Sequence, residues 1–341
     1  MKLLDLFSGI GGFHLGFERA GFEFDYVGFA EVDKYASAVY KYNNPFAEEL
    51  GDVKSIRSEN LPKIDIITFG SPCQDFSIAG KRAGATEGTR SSLIWEAIRL
   101  ITECKPRVFV WENVKGTFSS NNGADFWAII QAFTNIGNYR LEWQLLNTRW
   151  FLPQNRERLY LVGYTGNRGG RSVFPIGRDD KSFKSKRKKK LIQTFTERSF
   201  DGNREDGGRA IRYHKILGET PCLSSQMGMG GNNVPMMVQP VIDPRRHNKS
   251  QNGRLIKEDG EDMFTLTQQD QHEVKINQTS IRRLTPVECM RLQGFPDTHN
   301  EFGLLDGKKV AISDTQRYKQ AGNAVTVDVV AAVARKIKEL L

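Results

Sequence analysis

The sequence predicts an α/β fold: a doubly wound, mostly parallel sheet carrying a smaller inserted domain. Three observations predict it. Strand and helix signals alternate from the N-terminus to about residue 165. The first strand runs into a glycine-rich turn, Phe7-Ser8-Gly9-Ile10-Gly11-Gly12. After Gly166 the composition changes to a basic stretch, then to Gly, Asn, Gln and Met with few long apolar periods, before helix signals return at Ile281.

The elements follow in order. Residues 2–7 are an apolar strand and 13–20 continue as a helix. A second strand at 26–31 precedes a helix at 34–42, and 64–69 is another strand. Helical spacing at 93–102, a β-rich run at 107–111, a helix at 124–133 and a strand at 160–164 complete the alternation. Residues 222–238 read as loops on short strands. Leu223-Ser224-Ser225-Gln226 and Leu266-Thr267-Gln268 each follow a Gly-Glu pair, which reads either as chance similarity between turns or as two related hairpins. Thr285-Pro286-Val287-Glu288 has the pattern of an N-cap, a Pro at the first helical position and a Glu at the third. Residues 324–341 form an amphipathic helix whose Val325, Val329, Val333 and Ile337 should pack on the first domain. The expected division is 1–175 plus 311–341 for the large domain, 176–280 for the insert, and 281–310 for a hinge and supporting helix.

Composition narrows the function. No apolar stretch approaches the roughly 20 residues that a membrane span needs, and the first residues enter a strand directly, so neither a membrane segment nor a signal peptide is expected. The four cysteines (Cys73, Cys104, Cys222, Cys289) form no CxxC pair, which argues against zinc and against a disulfide framework and points to a reducing cytoplasm. Net charge is +9, and residues 168–190 hold ten Lys/Arg against Asp179 and Asp180. That segment reads either as a solvated loop or as a phosphate-facing stretch.

The glycine turn lets a backbone approach a bound ligand closely. The dinucleotide fingerprint wants Gly or Ala where this chain has His14. Glu31 ends the second strand where a ribose partner is expected, and Asp52 follows where a third strand would end, placed for an adenine amino group. A nucleoside-type cofactor without a pyrophosphate fits best, which points to S-adenosylmethionine.

Cys73 sits in Ser71-Pro72-Cys73-Gln74, just after the strand at 64–69. Pro72 blocks continuation of the strand ladder. Gly80, Gly84 and Gly88 make residues 75–92 read as a loop able to close over a substrate. Glu112 ends the next strand, and strand C-termini of a doubly wound sheet converge on the edge that holds the glycine turn. In Gln154-Asn155-Arg156-Glu157-Arg158, alternation puts Arg156 and Arg158 on one face, either as a surface ion-pair strand or as part of the site.

These residues resemble the DNA (cytosine-5) methyltransferase family, bacterial or phage type, over nearly the whole chain. The motifs run in family order: Phe7 to Gly12, Pro72-Cys73-Gln74, Glu112-Asn113-Val114, Gln154 to Arg158, Arg283 through Pro296, and Gly322-Asn323-Ala324-Val325. The resemblance implies a Rossmann-like fold binding S-adenosylmethionine, with S-adenosylhomocysteine as product. It implies methylation of cytosine carbon 5 in a specific duplex sequence, by base flipping and a covalent Cys73 adduct at carbon 6. Glu112 would hold a proton at ring nitrogen 3, Arg158 the ring carbonyl, and Arg156 would position Glu112 or the loop. Asn113 and Pro72 would shape the pocket. A base, with an ordered water among the candidates, would remove the carbon 5 proton. Nearby arginines should favour the thiolate, since a thiol of ordinary pKa about 8.5 is only a few per cent ionised at neutral pH.

On the cofactor the resemblance places Phe7 and Ile10 at the adenine, Glu31 at the ribose, Asp52 and Val53 at the adenine edge, and Leu93 and Asn323 completing the pocket. Ser8, Gly9, Gly11, Gly12, Val32, Pro72 and Val325 belong to the same site. On DNA it places Gln74, Ser77, Ile78 and Arg90 in the loop. Gln226, Asn232, Asn233, Thr265 and Gln268 fall in the recognition insert, where Thr265-Leu266 matches the family's Thr-Leu pair. The expected protein is a cytoplasmic monomer, bacterial or phage-encoded, acting on double-stranded DNA, with a cognate restriction endonuclease as functional partner and no metal. Three rival readings are an RNA-directed relative, whose Cys-Phe-Thr signature is not found here, a non-enzymatic DNA-binding module, which would not need Cys73 and Glu112, and a nicotinamide dehydrogenase.

Overall fold

A computed structural model describes residues 1–71, 93–166, 171–177 and 285–341, together with seven short strands between residues 194 and 283. Helices and strands alternate as β1 (Lys2–Leu6), α1 (Gly12–Arg19), β2 (Tyr26–Ala30), α2 (Lys34–Asn43), β3 (Glu48–Glu49), β4 (Ile66–Phe69), α3 (Leu93–Cys104), β5 (Val108–Val114), α4 (Ala124–Asn135), β6 (Tyr139–Asn147), β7 (Gln154–Asn155) and β8 (Glu157–Thr165). They build a seven-stranded sheet in the order β3-β2-β1-β4-β5-β8-β6. β3 through β5 pair in parallel, and β8 is antiparallel to both β5 and β6. The chain winds outward from β1 to β3, then restarts on the other side of β1 with β4. The switch point, where ligands bind in open α/β sheets, is therefore the crevice beyond the carboxyl ends of β1 and β4.

The central strands are buried on both faces, as a parallel sheet covered by helices requires. Leu3 joins a core with Phe13, Phe17, Val329 and Val333, on the side of α1 and the C-terminal helix. Leu4 and Leu6 alternate to the opposite core, with Ile94, Leu100, Phe126 and Phe133 of α3 and α4. A third cluster joins Ile10, Ala36 and Val39 to Met290, Ala321 and Val327.

The insert contributes β9 (Thr194–Arg198), β10 (Ala210–His214), β11 (Thr220–Pro221), β12 (Met236–Met237), β13 (Pro240–Ile242), β14 (His272–Val274) and β15 (Arg282–Arg283). Four of these form a sheet in the order β10-β9-β12-β15, and β11 pairs with β7 of the large sheet's connection. α5 (Pro286–Leu292) opens with the full capping box expected of Thr285 and Glu288. The hairpin β16 (Phe302–Leu305) and β17 (Lys308–Ala311) packs on α2, and α6 (Asp314–Asn323) and α7 (Val327–Leu340) return the chain to the large sheet.

Several boundaries differ from the sequence reading. β5 continues two residues past Glu112, because Glu112, Asn113 and Val114 all pair with β8. The expected strand through Arg158 breaks at Arg156, between β7 and β8. The final helix starts at Val327; Val325 lies before it, and the polar α6 carries too few apolar residues for periodicity to reveal it. Most of the basic segment 168–190 lies outside the described residues.

Asp5 is completely buried in β1 and accepts a hydrogen bond from Thr68 Oγ1 at 2.7 Å. Burial pushes its carboxyl from the ordinary 3.8 up to about 8, against the lowering effect of that hydrogen bond. Between those values the folded chain keeps a proton that the unfolded chain releases, so this group's effect on stability worsens as pH rises from 3.8 to about 8. Asp5→Asn should therefore leave the thermal midpoint nearly unchanged at pH 4 and raise it at pH 8. Equal midpoints at both pH values would show that Asp5 is ionised in the fold.

Candidate active site

The turn leaving β1 is built for close approach. Phe7, Gly9 and Gly11 have φ of 52°, 55° and 87°, and Ser8 N and Gly11 N donate to Ala30 O and Ser8 O. A Cβ at Gly9 would meet open space, whereas one at Gly12 would lie 2.6 Å from Val325 Cγ2. Gly9 thus leaves a cradle, and Gly12 lets the C-terminal segment lie against the start of α1. Ser8 Oγ is buried with no hydrogen-bond partner among the described residues.

Glu31 knits this turn to the next strand end. Its Oε2 accepts from Gly9 N and its Oε1 from Asp33 N, both at 2.8 Å. Burial raises its pKa, and the two backbone donors oppose that rise. Each oxygen keeps a second lone pair for a ligand hydroxyl. Val32 beside it is 75% exposed, an apolar face at the mouth of the crevice. Asp33 caps α2 through Tyr35 N and Ala36 N and pairs with Lys319 of α6. Asp52 is exposed, and its side chain accepts from Lys54 N to cap the short turn at Val53–Ser55, so one of its oxygens has a structural duty. Val53 is buried in the α3 core.

The second half of the site lies at the ends of β4 and β5. Glu112 is largely buried, with Oε1 3.2 Å from Arg158 Nε. Arg158 stands opposite Val114 on β8. A Cβ at Gly70 would sit 3.4 Å from Glu112 Oε2, so a glycine here leaves the carboxylate its space. Asn113 donates through Nδ2 to Ser71 O and Ser71 Oγ at 3.2 Å, and Trp111 Nε1 donates to Ser71 Oγ at 3.1 Å. Asn113 Oδ1 accepts from Val114 N and Thr117 Oγ1. Ser71, the residue before Pro72-Cys73, is therefore fixed from β5 through its carbonyl and its hydroxyl.

Pro72, Cys73, Gln74, Ser77, Ile78 and Arg90 lie outside the described residues, as do Gln226, Asn232, Asn233, Thr265 and Gln268. Leu93 opens α3, half-buried. Arg156 is buried, with Nη1 donating to Gly322 O at 3.3 Å and Nη2 to Ala324 O at 3.0 Å. The break between β7 and β8 turns it toward the C-terminal strap, where Asn323 is exposed and Val325 covers Gly12.

Sequence reading missed Ser71 and His299. The buried imidazole of His299 donates Nε2–H to Ile10 O at 2.8 Å, and burial lowers its pKa to about 4, so it is neutral. Ser71 had a signal in its place beside Pro72-Cys73; His299 had none, because its contact spans 289 residues. Among the described residues there is no cluster of His, Cys, Asp and Glu able to hold a metal, and no helix is long and apolar enough to cross a membrane.

Known proteins resemble this chain in sequence and in fold. The orphan methyltransferase M.SPRI of Bacillus phage SPR is 30% identical, over 99% of this chain and 97% of that protein. The type II methyltransferase M1.ScrFI of Lactococcus lactis subsp. cremoris is 32% identical, over 100% of this chain and 78% of that protein. In fold, a Spodoptera frugiperda DNMT2 variant superposes with a TM-score of 0.61 at 19% identity, covering 99% of both chains. The S. pombe Dnmt2 methyltransferase gives 0.63 at 17% identity, covering 99% of this chain and 98% of that one. Residues 1–339 match the family of C-5 cytosine-specific DNA methylases, and the chain belongs to that family, a DNA (cytosine-5-)-methyltransferase.

Proposed function

We propose that the crevice at the β1–β4 switch point binds S-adenosylmethionine and that Cys73 and Glu112 activate the cytosine beside it. The observation that carries this reading is the junction of the glycine turn with Glu31, which leaves a cradle over Gly9 and two carboxylate lone pairs beside it. The donor set fits a nucleoside-type methyl donor: the half-buried Glu31 carboxylate for the ribose hydroxyls, exposed Val32 for an apolar ring face, and the Ser8 hydroxyl, without a partner among the described residues, for a polar substituent. When bound, that donor supplies an electrophilic methyl group on a sulfonium.

The chain's own residues do the rest. The Cys73 thiolate adds to cytosine carbon 6, and the electron pair of the carbon 5–carbon 6 double bond becomes available at carbon 5. Glu112 holds a proton at ring nitrogen 3, which draws charge away from the ring as the thiolate adds. Arg158, 3.2 Å from Glu112, would also hold the ring carbonyl. Carbon 5 would take the methyl group as the donor's methyl–sulfur bond breaks, leaving S-adenosylhomocysteine; a base would then remove the carbon 5 proton, and the double bond would re-form as the carbon 6–sulfur bond breaks to return the Cys73 thiolate. The Asn113 and Trp111 bonds to Ser71 fix the strand end from which Pro72 and Cys73 continue.

The target carbon is inaccessible in a stacked duplex, so the base must be flipped at a cost of about a few kcal/mol. We assign that work to the loop at residues 75–92 and the adjoining Gln74, with Gln74, Ser77, Ile78 and Arg90 on the DNA. Sequence recognition is assigned to residues 176–280, including Gln226, Asn232, Asn233, Thr265 and Gln268. The large domain would comprise 1–175 and 311–341, with 281–310 as the support between them. The protein would act in the cytoplasm as a monomer on duplex DNA. A cognate restriction endonuclease would be a functional partner where the gene lies beside one.

Cys73→Ser should abolish methyl transfer, by more than about a hundredfold, while duplex binding survives; methylation near the parent rate would overturn the covalent route. Glu112→Gln should lower the rate constant for transfer by about a hundredfold with cofactor affinity kept, read by single-turnover assays. Neutralising the basic residues of 168–190 should flatten the salt dependence of DNA binding, and an unchanged slope would make the segment a solvated loop. Bisulfite sequencing of DNA from cells expressing the chain would read out both the activity and the site.

A further inference from the structure

Asn323, which the reading above places on the cofactor, ends α6 and leads into a strap, residues 324–326, that joins α6 to α7. The strap has no regular hydrogen-bonding pattern of its own. Its backbone is instead held from three other elements, and one side chain does most of the holding. Gln293, directly after α5, is fully buried. Its Nε2 donates to Ala321 O at 2.7 Å, and its Oε1 accepts from Thr326 Oγ1 at 2.9 Å. Its backbone carbonyl accepts from Val327 N at 2.9 Å. Gln154 Nε2 donates to Leu292 O at 2.9 Å and approaches Gln293 Oε1 at 3.4 Å, while Thr148 Oγ1 lies 2.9 Å from Thr326 Oγ1.

Gln293 thus grips the strap on both sides of Asn323, and Arg156 holds the carbonyls of Gly322 and Ala324 between the two grips. Only the Asn323 side chain is left exposed. The chemistry calls for an amide. One end must donate to a carbonyl and the other must accept from a hydroxyl; leucine does neither, and an ionised glutamate cannot donate. Gln293 touches neither the glycine turn nor Glu31 in any described contact.

We infer that Gln293 is a positioning residue for the methyl donor: its amide sets the strap at the height where Asn323 meets the cofactor. The inference rests on the proposed cofactor reading of Asn323. Gln293→Leu should weaken S-adenosylmethionine binding about tenfold, the scale of one lost buried hydrogen bond, measured by titration calorimetry on the full chain. The KM for the cofactor should rise with kcat largely kept, and the affinity for duplex DNA should not change. Thr326→Val, which removes only the hydroxyl, should weaken binding in the same sense, and Thr326→Ser should restore it. This pair keeps the test open if Gln293→Leu folds poorly. In an Asn323→Ala background, Gln293→Leu should add little further loss, because the two act in series.

Cofactor affinity within twofold of the parent in Gln293→Leu and Thr326→Val would overturn the inference, as would equal losses of cofactor and DNA affinity. If Asn323→Ala binds the cofactor as tightly as the parent, it is the Asn323 reading that fails. If the parent chain itself binds no S-adenosylmethionine, the cofactor reading falls and the inference falls with it.

Discussion

The contact on which the rest of this molecule depends is the meeting of Gly12 with Val325. A methyl group at Gly12 would lie 2.6 Å from Val325 Cγ2, and one at Gly16 would lie 2.4 Å from Val330 Cγ1. Two missing side chains on α1 therefore let α7 pack close against it and bring the C-terminal strap onto the turn that leaves β1. Arg156 and Gln293 then tie that strap to β7 and α5. The crevice at the β1–β4 switch point is closed by residues more than 300 positions apart, held by van der Waals approach together with the Arg19–Asp328 ion pair between the same two helices.

The chemistry is mounted on a polar framework inside an otherwise apolar sheet. Asn113, Ser71, Glu112, Arg156, Gln154 and Gln293 are all buried. A buried polar group without a partner costs free energy, so such residues are placed where partners converge. Asn113 uses both ends of its amide, donating to Ser71 and accepting from Val114 and Thr117. The result is a rigid strand end one residue before Pro72. The position of Ser71 is thereby set by β5, the strand that also carries Glu112.

Much of this was legible in the chain. The glycine turn, Glu31, Glu112 and the capping box at Thr285 each depend on local chemistry: backbone freedom, a strand, a helix start. Alternation of short apolar runs with helical periods determined a doubly wound sheet, and with it the edge where the motifs meet. Pairing partners lay beyond this kind of reading. Arg156 and Arg158 differ by two positions and so suggested one face, yet the chain breaks between β7 and β8, and one guanidinium serves the strap while the other faces Glu112.

By itself the sequence determined the reaction class, because that rests on residue type and spacing within single segments. Tertiary structure alone decided what holds them. His299 reaches Ile10 across 289 residues, Gln293 reaches Ala321 and Thr326, and Asp52 is occupied in part by its own turn. These contacts are made by side chains whose hydrogen-bond partners are backbone N–H and carbonyl groups and hydroxyls. Such groups occur on almost every residue and carry no sequence signature, so only the packing of distant elements selects among them.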